Sequence, residues 1–170
     1  FDHSQSASAI YQNNTMYYNG VHEIIQDISV SEGNPAHRGQ KVGGIKANNV
    51  LNATVVNNII VTRDNEFSAL ALNNVTGTRV AVDNIILNGT YAWPATEDNN
   101  LINSDPLFVS APEIVNGPLS IEGTDFSLSE GSPAINSGNP SYSPTHDIEG
   151  NPRPIQVNAI SSTSFENATG

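Results

Sequence analysis

Tyr11-Gln-Asn-Asn-Thr-Met-Tyr17, Ile24-Ile-Gln-Asp-Ile-Ser-Val30, Val55-Val-Asn-Asn-Ile-Ile-Val61 and Ala81-Val-Asp-Asn-Ile-Ile-Leu87 are four versions of one phrase. Each runs from a mostly apolar start through a polar pair into a mainly apolar run. The second member of the pair is Asn14, Asp27, Asn58 or Asn84. An amide or carboxylate between β-branched residues suits an isolated strand poorly. It suits a stack of equivalent strands, in which each side-chain amide bonds to the layer above or to the turn backbone. A stack of that kind is a solenoid, in which every coil repeats the one before it.

The spacings of the marked positions are 13, 31 and 26 residues. A coil of a three-sided β-helix takes roughly two dozen residues. The last two spacings fit a coil with small insertions, and the first places Asp27 on a different face from Asn14. Ala69-Leu-Ala-Leu-Asn-Asn-Val75 reads as a further face of the coil between Val55 and Leu87. Residues 31–46 lack two-residue alternation and hold four Gly and one Pro, the mark of an inserted loop. Residues 88–100, with Asn88-Gly89 and Trp93-Pro94, read as a second loop closing the repeat region. The expected organisation is coils over 1–100, an irregular capping segment over 101–154, and a tail or linker over 155–170. Phe1 leads directly into a repeat unit, so an upstream segment of the same protein is expected to complete the first coil.

The composition sets further bounds. Apolar residues make up 37 % of the 170 positions and charged residues 14 %, with Asn, Ser and Thr filling the remainder. Strong helix formers are scarce, and 13 Gly and 10 Pro punctuate short Val/Ile runs, which points to an all-β chain. A net charge of −11 argues against nucleic acid and anionic membranes as partners. With no cysteine, a disulfide framework, a zinc–thiolate site and a cysteine nucleophile are all excluded. No apolar run is long enough to cross a bilayer as a helix.

From Asn100 onward three segments follow in order: Asn103-Ser-Asp-Pro-Leu-Phe-Val109, Thr124-Asp-Phe-Ser-Leu-Ser-Glu-Gly-Ser-Pro-Ala-Ile-Asn-Ser-Gly138 and Asp147-Ile-Glu-Gly-Asn-Pro-Arg-Pro154. This order resembles the C-terminal end of bacterial right-handed parallel β-helix proteins of the pectate-lyase-like superfamily. Phe1-Asp-His and Asn13-Asn-Thr-Met-Tyr-Tyr-Asn-Gly20 are most similar to coils of family 9 pectate lyases. The resemblance implies a right-handed parallel β-helix with an irregular C-terminal cap, secreted or held in the periplasm or at the cell surface of a bacterium. It implies a polysaccharide lyase acting on an acidic, uronate-containing polysaccharide, with calcium as a cofactor where one is used. In the tail, Phe108, Phe126, Leu128, Ala134 and Ile135 are apolar plugs expected to cover the last open coil.

Three of the six basic residues, Arg38, Lys41 and Lys46, fall within nine positions, with His37 beside them. A lyase must neutralise a uronate carboxylate, remove the proton at C5 and let the C4 oxygen leave. Cations serve the first task, and a Lys or Arg of lowered pKa, or a His, serves the second. His37, Arg38, Lys41 and Lys46 are therefore the catalytic candidates, and Lys41-Val-Gly-Gly is similar to the Lys-Leu-Gly-Gly around the catalytic lysine of family 9 lyases. Arg63, Tyr91 and Trp93 are the substrate-binding candidates. Asp64, Glu66 and Asp83 offer the oxygen ligands that calcium prefers. The same carboxylates would serve a glycoside hydrolase on this scaffold. A non-catalytic carbohydrate-binding or adhesin β-helix, or the C-terminal part of a larger enzyme, is the remaining alternative.

Overall fold

The computed structural model describes residues 7–18, 42–65, 67–92, 96–114, 120–147 and 150–153. The chain begins with β1 (Ser8–Gln12) and β2 (Thr15–Tyr17). It continues through β3 (Val42–Asn48), β4 (Asn52–Val56) and β5 (Ile59–Val61). The next circuit is β6 (Ser68–Asn73), β7 (Arg79–Val82) and β8 (Ile85–Leu87), and the next is β9 (Thr90–Ala92), β10 (Thr96–Asp98) and β11 (Leu101–Ile102). Every pairing among these strands is parallel and joins one circuit to the next. The first sheet is β1-β4-β7-β10, the second β2-β5-β8-β11 and the third β3-β6-β9. From β3 onward the chain thus visits the third, first and second sheets in a fixed cyclic order. The architecture is all-β and parallel, and the only helical geometry among the described residues is one 3-10 turn at Pro140–Tyr142.

Register is uniform across the first and second sheets, whereas the third shifts between Val42 and Ile45 and between Ser68 and Leu70. Tyr11, Val55, Ala81 and Glu97 sit side by side across the first sheet, and Thr15, Ile59, Ile85 and Leu101 across the second. A slip of one residue would turn every inward side chain outward. The inward set makes one core fed by all three sheets: Ala53, Val55 and Ala81 from the first, Ile60 and Ile86 from the second, Ile45, Ala47, Leu70 and Leu72 from the third. Val50 and Val75 fill the corner between the third sheet and the first.

The corners explain the Asn-Asn pairs. Between the first and second sheets the first residue of each pair, Asn13, Asn57, Asp83 or Asn99, is left-handed with φ of 57, 57, 55 and 51°. Asn and Asp enter this region more readily than other non-glycine residues, because a short polar side chain can bond locally. One left-handed residue turns the strand sharply enough to start the next sheet. Asn49 and Asn74 do the same at the corner leading from the third sheet to the first.

The second residue of each pair points inward and joins the row Asn14, Asn58, Asn84, Asn100. Nδ2 of each donates to Oδ1 of the next, at 3.0, 3.0 and 2.9 Å. The same Oδ1 accepts the preceding layer's backbone N–H, at 3.1 Å for Asn14, 3.0 Å for Asn58 and 3.0 Å for Asn84. Nδ2 also reaches the carbonyl two residues back in its own corner, as in Asn58 to Val56 and Asn84 to Val82, both 3.0 Å. Asn58 and Asn84 are each 1 % exposed, so these bonds satisfy polar groups that water cannot reach.

Asp27 lies outside the described residues, and Asn100 stands in the row. Residues 88–100 are not a closing loop; they contain β9, β10 and the Asn99-Asn100 corner. This repeat was hidden because Thr-Glu-Asp precedes the pair and only Leu101 and Ile102 follow it. Likewise the loop expected over 31–46 ends by Val42, where β3 begins. Two glycines make the strand hard to read there: a Cβ on Gly44 would collide with the carbonyl of Ala69 in the neighbouring strand. Ala69–Val75 does form the further face, as β6 and its corner.

The corner from the second sheet to the third is less regular. Gly89 is left-handed, at φ 85°, and a Cβ there would lie 2.7 Å from Thr62 Oγ1, so both shape and space require glycine. Tyr18 takes the left-handed conformation with φ 55°, and its buried hydroxyl has no hydrogen-bond partner among the described residues.

Three substitutions test this packing. Asn84→Ala leaves the amide of Asn58 and the carbonyl of Val82 without their bonds in the interior, so it should lower stability by about 3 kcal/mol in denaturant unfolding. Asn14→Ala, at a position open to water, should lower it by about 1 kcal/mol or less. Tyr18→Phe should raise stability or leave it unchanged, since it removes an unbonded buried hydroxyl. A loss of more than about 1 kcal/mol in that variant would show that the hydroxyl has a partner.

Candidate functional site

Five of the sequence-derived candidates lie among the described residues: Lys46 and Tyr91 on the third sheet, Arg63 and Asp64 after β5, and Asp83 at the corner between the first and second sheets. His37, Arg38, Lys41, Glu66 and Trp93 lie outside the described residues. Lys46 is in β3, between the buried Ile45 and Ala47, and the alternation of the strand turns it outward on the third sheet. It is half-buried and stands beside Ala71 of β6, which in turn pairs with Ala92 of β9. The result is one cation at the margin of a sheet position flanked by small residues.

Tyr91 pairs with Leu70 across the third sheet and packs, half-buried, against the core. Its ring is thereby committed inward rather than offered as an outer stacking platform. Arg63 follows β5 and donates from Nε to Asp64 Oδ2 at 2.7 Å, while its guanidinium carbon sits 4.7 Å from the centre of the Phe67 ring. Neutralised by its neighbour and held over an aromatic face, Arg63 projects less positive charge than the sequence suggests. Asp64 is thus engaged at the end of the second sheet, whereas Asp83 lies at the corner between the first and second sheets. The two carboxylates are not brought together, and the described residues contain no cluster of three His, Asp or Glu placed to hold a metal.

The C-terminal segment builds a different site. After β11 the chain makes an antiparallel pair, β12 (Phe108–Ser110) with β13 (Asp125–Leu128). Ser129 closes this unit onto Leu107, its N–H and hydroxyl both bonding the Leu107 carbonyl, at 2.8 and 2.6 Å. The buried Ser132 hydroxyl likewise donates to the carbonyl of Pro106. Phe108 and Phe126 meet edge to face at 5.2 Å, and the Tyr17 ring joins them at 6.0 and 5.2 Å. The Tyr17 hydroxyl donates to the Pro112 carbonyl at 2.6 Å. Burial first, then the charge of Asp105 and then Tyr18 push that hydroxyl above the ordinary tyrosine pKa, which keeps it a donor.

Farther along, the segment grips the outer row of corner residues. Asn57 Oδ1 accepts the N–H of Asn139 at 2.7 Å, and Asn57 Nδ2 donates to the Asn139 carbonyl at 2.9 Å. Asn13 Nδ2 donates to the Tyr142 carbonyl at 2.7 Å. Asn139 itself caps the 3-10 turn, its Oδ1 accepting from Ser141 N at 3.0 Å. These contacts fall on the flank of the stack, against β2 and the corner between the first and second sheets. Phe108 and Phe126, expected as plugs of the last coil, pack instead against Tyr17 of β2.

Beyond the Asn57–Asn139 clamp the two surfaces separate and enclose a cleft of about 480 Å³. Asn57, Asp83 and Ile85 line the stack side; Phe126, Ile135 and Arg153 line the C-terminal side. Arg153 is brought there by a turn in which Asp147 Oδ1 accepts from Asn151 N at 2.8 Å and Arg153 N donates to Thr145 O at 2.9 Å. His146, in the same turn, pairs its Nδ1 with the Thr145 hydroxyl at 2.9 Å.

No family model, curated protein or solved structure matches this chain.

Sequence reasoning reached Asp83, as an oxygen ligand, but not the cleft. The wall residues named above are some 40 to 95 residues apart in the chain. One signal was available: Asp83 is the acidic member of an outer row otherwise made of Asn13, Asn57 and Asn99.

The clamp has a direct test. Asn57→Ala removes both bonds to Asn139 and should expose residues 139–147 to limited proteolysis, with a loss of global stability of about 1 to 2 kcal/mol. Unchanged cleavage would show that the segment is held by other contacts. Raising the pH should loosen the Tyr17 contact. The folded-state pKa lies above the unfolded value, so its contribution is complete below that value and is lost as pH climbs through the raised one. Faster hydrogen exchange near Pro112 should accompany tyrosinate absorption, and exchange that speeds up well below the ordinary tyrosine pKa would contradict the assignment.

Proposed function

We propose that this chain forms part of a right-handed parallel β-helix and that it cleaves an acidic, uronate-containing polysaccharide by β-elimination. The observation that carries the fold reading is the cyclic strand order, with each circuit pairing in parallel with the next and Asn14, Asn58, Asn84 and Asn100 stacked inside one corner. Crossovers between parallel strands of one sheet are right-handed in nearly all proteins, which supports the hand. The activity rests on the resemblance of residues 1–20 and 100–154 to bacterial pectate-lyase-like proteins, since a fold by itself licenses no chemistry.

In this reading the face of the third sheet receives the sugar chain. Lys46 stands outward there, at the end of the stretch that contains His37, Arg38 and Lys41. One cation neutralises the uronate carboxylate and favours the carbanion-like charge that develops on loss of the C5 proton. A neighbouring base takes that proton, the C5 electrons form the C4–C5 double bond, and the C4 oxygen departs with its sugar. Calcium, if bound, would add positive charge to the same stabilisation. A hydrolase needs two carboxylates facing one glycosidic bond. The engagement of Asp64 by Arg63, away from Asp83, supports elimination over that alternative. A secreted or cell-surface bacterial location accompanies the substrate.

The experiment is a screen over polygalacturonate, alginate and glycosaminoglycans with calcium supplied. Unsaturated products should appear as a rise in ultraviolet absorbance with at least one polyuronate, and Lys46→Gln should reduce kcat/KM by about a hundredfold. No rise with any polyuronate refutes the reading. Reducing ends released without unsaturation would identify a hydrolase.

A further inference from the structure

We propose that the cleft between the C-terminal segment and the corner of the first and second sheets binds a single hexuronate ring, at a site separate from the face of the third sheet. The choice of a uronate rests on the polyuronate reading above; the existence of a ligand site rests on the cleft itself.

Four observations converge. The volume of about 480 Å³ lies within the range of small-molecule sites, which is roughly 300–1,000 Å³. Opposite charges line it. Among the described residues, neither the Asp83 carboxylate nor the Arg153 guanidinium has a hydrogen-bond or ion-pair partner. Large apolar groups line it too, and Phe126 and Ile135 remain 38 % and 46 % exposed beside them. Finally, the walls are fixed. The Asn57–Asn139 clamp holds the C-terminal side and the inner asparagine row holds the other, so little ordering is needed on binding.

The chemistry of these groups selects a ligand. Arg153 offers a planar fork of donors suited to a carboxylate. Asp83 can only accept hydrogen bonds, so whatever faces it must donate, as hydroxyls do. Phe126 and Ile135 suit the C–H face of a pyranose ring. A ring with one carboxylate, several hydroxyls and an apolar face answers all three demands. The corner position by itself does not account for the acid. An asparagine at 83 would serve the left-handed turn equally well, as Asn13, Asn57 and Asn99 do, so the turn gives no reason for a carboxylate.

Asp83→Asn therefore preserves the fold while changing the site, and Arg153→Gln alters an exposed residue. D-galacturonate, D-galactose and glycine are titrated into the chain and both variants, followed by NMR shifts of residues 83–85, 126, 135 and 153. The expected result is saturable binding of galacturonate, with galactose bound about tenfold more weakly. Arg153→Gln should bind the two sugars alike, and Asp83→Asn should weaken both. Absence of saturable shifts at millimolar sugar, variants that bind like the parent chain, or glycine binding as tightly as galacturonate would each overturn the proposal. Polymer cleavage is scored separately. Cleavage without binding at the cleft overturns this site and leaves the lyase reading intact, whereas binding without cleavage supports the site and removes the lyase reading.

Discussion

A buried carboxamide has two donors and one doubly accepting oxygen, and in the interior of this protein all of them must be used. The inner row meets that demand by repetition. Asn58 gives its side-chain N–H groups to the Val56 carbonyl of its own corner, the Tyr11 carbonyl of the neighbouring layer and Asn84, while its Oδ1 receives both the side chain and the backbone of Asn14. Such a bond needs a partner of the same kind at the same height in the next layer. The row therefore fixes register as well as satisfying polar groups, and with register it fixes which residues enter the core. Because the carboxamides point one way, each bond polarises the next.

The outer row inherits its geometry from the inner one. Asn13, Asn57, Asp83 and Asn99 are left-handed so that their neighbours can face inward, and their own side chains are thereby presented to the flank. Two of them, Asn13 and Asn57, bind the C-terminal segment chiefly through its backbone, with one further bond from Asn57 to the Ser143 hydroxyl. Asp83 is the point at which the pattern changes. The clamp ends there, the cleft opens, and a charge replaces an amide. The same corner thus holds the stack together, anchors the tail and forms one wall of the cleft.

How much of this was legible in sequence depended on the range of the interactions. The Asn58 and Asn84 repeats could be read because a local phrase, a polar pair flanked by Val and Ile, has one reason to exist, and β6 was visible as a fainter copy. The Asn100 repeat escaped because the outermost circuit carries charged residues before its pair and a short apolar run after it. β3 escaped because Gly43-Gly44 resembles a loop until the close approach of Ala69 is seen. The path of the tail could not be read at all. Apolar residues such as Phe108 and Phe126 announce burial without naming the partner, and nothing local to Tyr17 or Asn57 says that residues about 80 to 110 positions later will cover them. Candidate site residues fared similarly. Arg63 and Asp64 are each suggestive alone, but they bond to one another, and Asp83 acquires its meaning from Arg153 across the cleft.

The most direct test of the central claim reads the buried side-chain amides themselves. In NMR spectra of the folded chain, the carboxamide protons of Asn58 and Asn84 should be resolved and should exchange with water orders of magnitude more slowly than those of solvent-facing asparagines such as Asn74. Their exchange should accelerate only with global unfolding. Rapid exchange of both at the rate of a free amide would mean that no stacked row exists, and the account of register, core and cleft would fall with it.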